Sequence, residues 1–226
     1  MDQHEKAQAF RRMHVEPPIL VLPNAWDVAS AKALAAIGGC RALATSSAAV
    51  ARSLGFEDGE RAPGAVMVEA AGRIAQAVDV PVTGDLERGY NDPVGTARAA
   101  WEAGLVAVDE QVSAIRAIRE AVPELVINAR VDTFVHIGSG DVAEAAERGN
   151  AYLAAGADCV YPILAPVNSI DALVHRIKGP INVIAAPATP PPAELDELGV
   201  ARMTWGSNLA TAAYAEAVRI AASAFA

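Results

Sequence analysis

The stretch Val80-Pro81-Val82-Thr83-Gly84-Asp85-Leu86-Glu87-Arg88-Gly89-Tyr90 decides the fold prediction, because an apolar run ends there on two acidic residues and then turns at a glycine. This pattern is typical of a buried strand followed by a loop. Alternate residues of an extended chain point the same way, so Asp85 and Glu87 are predicted to share one face. Two such carboxylates can converge on a hard cation. The alternative is that they cap a turn or pair with Arg88.

The same unit recurs along the chain, where short β-rich runs alternate with longer alanine-rich amphipathic stretches. We predict strands at 19–23, 41–45, 80–84, 104–108, 125–129, 159–163, 181–185 and 202–205. Helices are predicted at 26–37, 64–78, 93–103, 111–121, 142–155, 169–177, 192–198 and 208–224. Eight strand–helix pairs indicate an α/β fold, a (β/α)8 barrel of TIM type that forms a single domain over residues 1–226. A short helix near residues 3–13 would close its lower end, and a doubly wound sheet is the alternative.

Composition excludes several classes of function. The chain has 226 residues and a net charge of -9, and its 18 Lys and Arg are scattered, so we expect neither a nucleic-acid groove nor a membrane surface. Cys40 and Cys159 stand alone in apolar surroundings, which favours reduced thiols in a cytoplasmic protein. The first residues lack the layout of a signal peptide, and no apolar run reaches the length of a membrane span.

Barrel enzymes place their chemistry at the carboxyl ends of the strands. Asp58, in the long connection after the second strand, would join Asp85 and Glu87 there. Oxygen donors without a nearby histidine or cysteine suit Mg²⁺, with Mn²⁺ possible, rather than zinc. These three residues are therefore the predicted metal ligands.

Arg130 ends an apolar strand, a place where a guanidinium group is costly unless it meets a negative partner. Its planar fork suits a carboxylate or phosphonate of a substrate, and the alternative is a salt bridge to Asp132 or Asp85. The turn Thr45-Ser46-Ser47-Ala48 offers hydroxyl and N–H groups that can hold an anionic oxygen, although small residues also mark any tight turn.

With these motifs in place, the chain resembles the isocitrate lyase and phosphoenolpyruvate mutase superfamily along nearly its whole length. The resemblance is carried by six motifs in order, which are Pro23-Asn24-Ala25-Trp26-Asp27 with Ser30, Thr45-Ser46-Ser47, Leu54 to Asp58, Asp85-Leu86-Glu87 with Gly89-Tyr90, Asn128-Ala129-Arg130 with Asp132, and Ala155-Gly156-Ala157-Asp158. It implies a Mg²⁺-dependent enzyme that binds a small 2-oxo or 2-hydroxy carboxylate and acts through an enolate. The bond made or broken is C–C in a lyase, or P–C in a phosphonomutase or phosphonopyruvate hydrolase.

The resemblance also implies roles for individual residues. Asp85 looks like the direct metal ligand, and Asp58 and Glu87 look like ligands that act through water. The expected substrate-binding residues are Ser46, Ser47, Ala48, Asp85, Asn128 and Arg130. Of the predicted site, Arg130, Ser47 and Asp58 are expected to take part in catalysis.

Two further expectations follow from the family. Its members form homo-oligomers, dimers or tetramers, in which the last helix packs on a neighbouring subunit. The family also carries a mobile gate loop after strand four, whereas here residues 104–108 run directly into Asp109-Glu110. A connection this short leaves almost no room for the chain to reverse, so we predict that residues of the family are missing between Val108 and Asp109. A gate-less barrel with impaired catalysis is therefore a second alternative.

Overall fold

The computed structural model describes residues 2–87, 89–90, 92–96, 106–107, 112–136 and 141–225. The strands within these ranges are β1 Leu20–Leu22, β2 Asn24–Ala25, β3 Leu43–Thr45, β4 Val82–Gly84, β5 Val106–Ala107, β6 Asn128–Val131, β7 Cys159–Pro162, β8 Asn182–Ile184 and β9 Arg202–Thr204. The helices are α1 Gln3–Arg12, α2 Val28–Ala35, α3 Ser47–Ser53, α4 Gly64–Gln76, α5 Val112–Ala121, α6 Thr133–His136, α7 Val142–Ala154, α8 Ile170–Arg176, α9 Pro192–Glu197 and α10 Asn208–Ala222. A 3₁₀ turn, Val167–Ser169, precedes α8, and residues 93–96 are also helical.

Every strand pairing in the described part of the chain is parallel. The order is β2-β3-β4-β5 in one sheet, β1-β9-β8 in a second and β6-β7 in a third, and an isolated bridge joins β7 to β8. Pro23 separates β1 from β2, so the first strand pairs with β9 through one half and with β3 through the other. The described pairings include none between β5 and β6. The predicted α/β class, with parallel strands joined through helices, is confirmed.

The buried core lies between the strands and the helices that cover them. Leu20, Leu43 and Ile127 are fully buried, and each contributes about 1.5–3 kcal/mol by leaving water. On α4, Met67 and Ile74 are buried two turns apart, which is the spacing of one helical face. The strand cores are short and apolar because helices cover them, as in other parallel sheets.

Helix α1 confirms the predicted leading helix. Its start is fixed by a reciprocal cap, in which the Glu5 N–H donates to Asp2 Oδ1 over 2.8 Å and the Asp2 N–H donates to Glu5 Oε2 over 2.9 Å. The buried face of α1 carries Phe10, and His14 follows the helix, so that both rings lie next to Arg202, the first residue of β9. Helix α1 therefore packs against the amino ends of the strands.

Several predicted boundaries were wrong in detail. The strand predicted at 125–129 forms its ladder at Asn128–Val131, so Arg130 lies inside β6 rather than after it. The turn predicted after Thr45 is the start of helix α3. Parts of the strand predicted at 104–108 and of the helix at 93–103, and the whole junction of Val108 with Asp109, lie outside the described residues.

No helix in the described part of the chain is both long and apolar enough to cross a membrane.

Candidate active site

A cavity of about 300 Å³ opens where several strands end. Its lining includes Asn24, Thr45, Ser46, Ser47, Ala48, Asp58, Thr83, Asp85, Asn128, Arg130, Tyr161, Asn182, Arg202, Thr204 and Asn208. Seven of the eight predicted site residues are among them, and Glu87 is the exception. The strands converge because neighbouring strands of a parallel sheet end at the same edge, so residues far apart in sequence reach one cavity.

Asp85 is held by the first turn of α3. Its Oδ2 accepts hydrogen bonds from the Ser47 N–H over 3.2 Å and from Ser47 Oγ over 3.0 Å. Its own N–H donates to Thr45 Oγ1 over 2.9 Å, which ties the end of β4 to the end of β3. The unpaired N–H groups of a helix start favour a carboxylate. Ser47 therefore holds an anionic oxygen, and that oxygen belongs to the side chain of Asp85 rather than to a ligand.

Acidic residues of two connections, residues 54–63 and the segment that follows β4, lie close together beside the cavity. The Tyr90 N–H donates to Glu60 Oε1 over 2.7 Å, and the Tyr90 hydroxyl donates to Glu87 Oε1 over 3.4 Å. Burial raises the pKa of the Glu87 carboxyl, and the negative charges of Asp58, Asp85 and Glu60 raise it further. The carboxyl groups are close enough to repel one another, which is the condition that a bound cation would relieve.

Glu87 does not follow the geometry that the sequence suggested. Strand β4 ends at Gly84, and Glu87 has a positive φ of 52°. A non-glycine residue rarely adopts this left-handed backbone, and alternation of side chains applies only to an extended chain. The Glu87 N–H donates to Asp85 Oδ1 over 3.3 Å. Among the described residues, no group of three His, Cys, Asp or Glu side chains is arranged to hold a metal ion.

Arg130 also lines this cavity. Its Nε donates to Asp132 Oδ1 over 2.6 Å, so the salt bridge considered from the sequence is present. The side chain keeps 34% of its exposure while it lines the cavity, so it is only partly screened from a ligand. Asn128, two residues earlier on β6, faces the same cavity deeper in the fold.

The cavity is also lined, below the ends of the strands, by polar residues that were not predicted from the sequence. Tyr161, Asn182, Thr204 and Arg202 all line the cavity, and Thr204 shares hydrogen bonds with Asn182. Burial raises the pKa of the Tyr161 phenol, so this hydroxyl stays protonated and able to donate at neutral pH. The available signal was a polar residue inside a short apolar strand, which is costly without a polar partner.

The chain is similar to known proteins along most of its length. The family model described as phosphoenolpyruvate phosphomutase matches residues 10–225. A 2-methylisocitrate lyase of Bacillus subtilis is 30% identical over 79% of this chain and 67% of that protein. An uncharacterized protein of Mycobacterium tuberculosis H37Rv is 33% identical over 88% of this chain and 82% of its own length.

A solved structure has the same fold. It is a protein of Burkholderia cenocepacia J2315 provisionally assigned as a phosphonomutase, with 35% identity, a TM-score of 0.85, and 98% of this chain and 99% of that chain covered. The alignment with the Bacillus lyase spans 205 positions but only 79% of the 226 residues of this chain. Some positions of that lyase therefore have no counterpart here.

Proposed function

Because the chain belongs to the phosphoenolpyruvate phosphomutase family, which confirms the resemblance found in its sequence, we propose that it is a Mg²⁺-dependent lyase. It would act on a small 2-oxo or 2-hydroxy carboxylate through an enolate. The observation that carries the proposal is the cavity itself, which is lined by the carboxylates of Asp58 and Asp85 together with the guanidinium group of Arg130. Acidic oxygens suit a hard cation, and a guanidinium group suits the carboxylate of the substrate.

The described residues contain no three-ligand metal group, but the two carboxylates in the cavity, Asp58 and Asp85, are oxygen donors of the kind that Mg²⁺ or Mn²⁺ binds. Asp85 accepts three hydrogen bonds from Ser47 and Glu87, and a carboxylate has about four acceptor positions, so one remains for a cation. Asp58 lines the same cavity, while Glu87 is not among its lining residues and would act only through water. Mg²⁺ commonly keeps several waters and binds through one or two carboxylates. Such an ion, when bound, offsets negative charge that develops on an enolate oxygen.

The remaining residues of the site bind and orient the acid. The N–H and hydroxyl of Ser47, with Ser46 and Ala48 beside them, form the proposed carboxylate cradle, and Arg130 lines the same cavity. Both Ser47 donors are engaged by Asp85 in the structure. Any shift of the Asp85 carboxylate toward a cation would free them for the carboxylate of the substrate. Binding of the cation and of the acid should therefore be coupled.

The choice between a C–C and a P–C bond rests on the name of the Bacillus relative, a 2-methylisocitrate lyase. Phosphonomutase or phosphonopyruvate hydrolase chemistry is the second candidate, favoured by the description of the family model and by the provisional assignment of the Burkholderia structure. In the family a gate segment supplies an acid or a base, and here its residues are predicted to be missing between Val108 and Asp109, a junction that lies outside the described residues. Product analysis by proton and phosphorus NMR separates the two reactions.

The finer points of architecture belong to the same proposal. A closed (β/α)8 barrel forming one domain is supported by the pairing of β1 with β9, which joins the first strand to the last. A dimer or tetramer is supported by α10, on which Val218 and Ile220 are 68% and 58% exposed. Light scattering of the purified protein tests the assembly. The cytoplasmic location remains the prediction made from cysteine usage.

The experiment is calorimetric titration with Mg²⁺ and oxalate, a stable mimic of an enolate. Oxalate should bind only with Mg²⁺ present, and the binding should disappear in Asp85→Ala. The matched control is Asp79→Ala, which removes the same charge from an exposed residue just before β4. Oxalate binding that survives in Asp85→Ala would contradict the metal assignment.

The role of Arg130 is tested on the same assay. Arg130→Ala should weaken oxalate binding by about 1.5–3 kcal/mol, because a charge-assisted hydrogen bond is lost. Asp132→Asn removes the ion pair but keeps the guanidinium group, and should lose less. Equal losses in the two variants would assign Arg130 to a structural role.

A further inference from the structure

The cavity continues below the rim along one row of neighbouring residues. On β6 and β7, Arg130 pairs with Tyr161, and the bridge between β7 and β8 sets Tyr161 beside Asn182. On β8 and β9, Asn182 pairs with Arg202. Laterally paired residues point to the same face of a sheet, and all four line the cavity. The row crosses three strand spacings, roughly 14 Å along the curved sheet, with an arginine at each end.

Arg202 is a buried cation without a carboxylate in direct contact. The residue is 2% exposed, and among the described residues it forms no ion pair, although the negative charge of Asp85 acts on it from a greater distance. One Nη donates to His14 Nε2 over 3.4 Å, and the guanidinium carbon lies 5.9 Å from the centre of the Phe10 ring. Burial lowers the pKa of the guanidinium to about 10, so Arg202 is charged at neutral pH. A charge in this setting is costly without a partner.

Three polar atoms on this floor make no hydrogen bond within the described part of the protein. They are Arg202 Nε, Thr83 Oγ1 and Asn128 Oδ1, from residues that are only 1–2% exposed. All three residues line the same cavity. Buried polar groups are usually satisfied, so a cluster of three unpartnered ones around one space indicates a polar ligand. Because one of the three residues, Arg202, is a cation, an anionic ligand is favoured.

We propose that Arg202 forms a second anion-binding subsite, which takes the distal acidic group of the substrate. This inference rests on the proposed function, which places the first carboxylate at Ser47 and Arg130. The distal group is a carboxylate or a phosphonate, and it accepts from the guanidinium and from the Thr83 hydroxyl. Arg202 would then select acids with two charged ends over acids with one.

A purely structural role for Arg202 makes a different prediction. In that case the guanidinium would only close the lower end of the strands against Phe10 and His14. Its loss would change stability, and it would weaken all ligands of the upper cavity alike. The distinguishing quantity is therefore the ratio of affinities for a diacid and a monoacid, rather than either affinity alone.

The experiment measures the binding of lactate, malate and 2-hydroxyglutarate in the presence of Mg²⁺. These acids share a 2-hydroxy carboxylate, and the second carboxylate lies progressively further away in the latter two. At least one diacid should bind the unmodified protein about tenfold or more tightly than lactate, as expected for a charge-assisted hydrogen bond. Arg202→Met should reduce that preference to about threefold or less, while Mg²⁺-dependent oxalate binding persists.

Two more variants keep the outcome decisive. Arg148→Met removes an exposed arginine from α7 and should leave the preference unchanged. Thr83→Val removes an unpartnered hydroxyl without changing the volume much, so it should fold and should lower the preference severalfold. If Arg202→Met does not fold, a full preference in Thr83→Val overturns the proposal. It is also overturned if the unmodified protein shows no preference, or if the preference survives in Arg202→Met. If the unmodified protein does not bind oxalate in the presence of Mg²⁺, the result would instead contradict the proposed function.

Discussion

The protonation of His14 gives a prediction whose size follows from the structure. The His14 Nδ1–H donates to the Phe10 carbonyl over 2.8 Å, which leaves Nε2 to accept from Arg202. The residue is 3% exposed. Burial, helped by the adjacent positive charge of Arg202, lowers the pKa of His14 from 6.5 to about 4. A proton on Nε2 would remove the acceptor and set two cations side by side.

The sign of the effect on stability follows from proton linkage. Above pH 6.5 the imidazole is neutral in both the folded and the unfolded chain, so its contribution to stability is fully present. Between pH 6.5 and about 4 the unfolded chain takes up a proton that the folded chain refuses, and stability falls as the pH falls. At about 1.36 kcal/mol for each pKa unit, the loss between about pH 7.5 and pH 4.5 is roughly 2.5 kcal/mol.

Urea unfolding followed by circular dichroism at these two pH values measures this loss. The fall in the free energy of unfolding should be about 2.5 kcal/mol smaller in His14→Gln than in the unmodified protein. The matched control is His175→Gln on α8, because the His175 Nδ1 makes the same contact with a carbonyl four residues earlier, over 2.8 Å, but the ring is exposed. The reasoning is refuted if His14→Gln and the unmodified protein lose the same stability over this range.

Two further predictions concern the amino ends of the strands and the thiols. Asp158→Asn should lower the free energy of unfolding, measured in urea, by about 3 kcal/mol, because this carboxylate is 14% exposed and accepts hydrogen bonds from Arg11 and Arg119. Glu144→Gln, which removes an exposed ion pair, should lower it by less than about 0.5 kcal/mol. Similar losses in the two variants would contradict the prediction. Cys159 is fully buried and its thiol pKa is raised to about 12, so it should resist a thiol reagent in the folded protein and react only on unfolding, which labelling followed by mass spectrometry measures. Fast labelling of Cys159 in the native protein would contradict this prediction.

The residues at the rim of the cavity were predictable from local sequence. Asp85 follows an apolar strand directly, and Ser47 follows the preceding strand, so the rule that parallel strands end at one edge brings them together. The seven-residue helix that begins at Ser47 was missed because its first residues are small and read equally well as a turn. Local sequence thus placed the residues but not the helix that binds Asp85.

Register was harder to predict, because it depends on a partner strand. The apolar run Leu125–Ile127 looked like the strand, yet the ladder forms at Asn128–Val131, where β7 supplies its partners. The alternation applied to Glu87 failed for a similar reason, since the strand had already ended at Gly84. The alternation of side chains can be relied on only for residues that are paired in a strand.

Arg202 shows what sequence alone could not supply. As the first residue of a predicted strand it could have pointed outward to solvent, where an arginine needs no explanation. Its pairing with Asn182 turns it inward, and the packing of α1 buries it against Phe10. The predicted site therefore covered the rim of the cavity and missed its floor.

The central claim is that the cavity binds a divalent cation at Asp85. Crystals soaked in Mn²⁺, with data collected at a wavelength where manganese scatters anomalously, test it most directly. The account predicts an anomalous peak inside the cavity at coordination distance from a carboxylate oxygen of Asp85, and no such peak in Asp85→Ala crystals. A peak that lies elsewhere on the protein, or a cavity without any peak at saturating Mn²⁺, would contradict the claim.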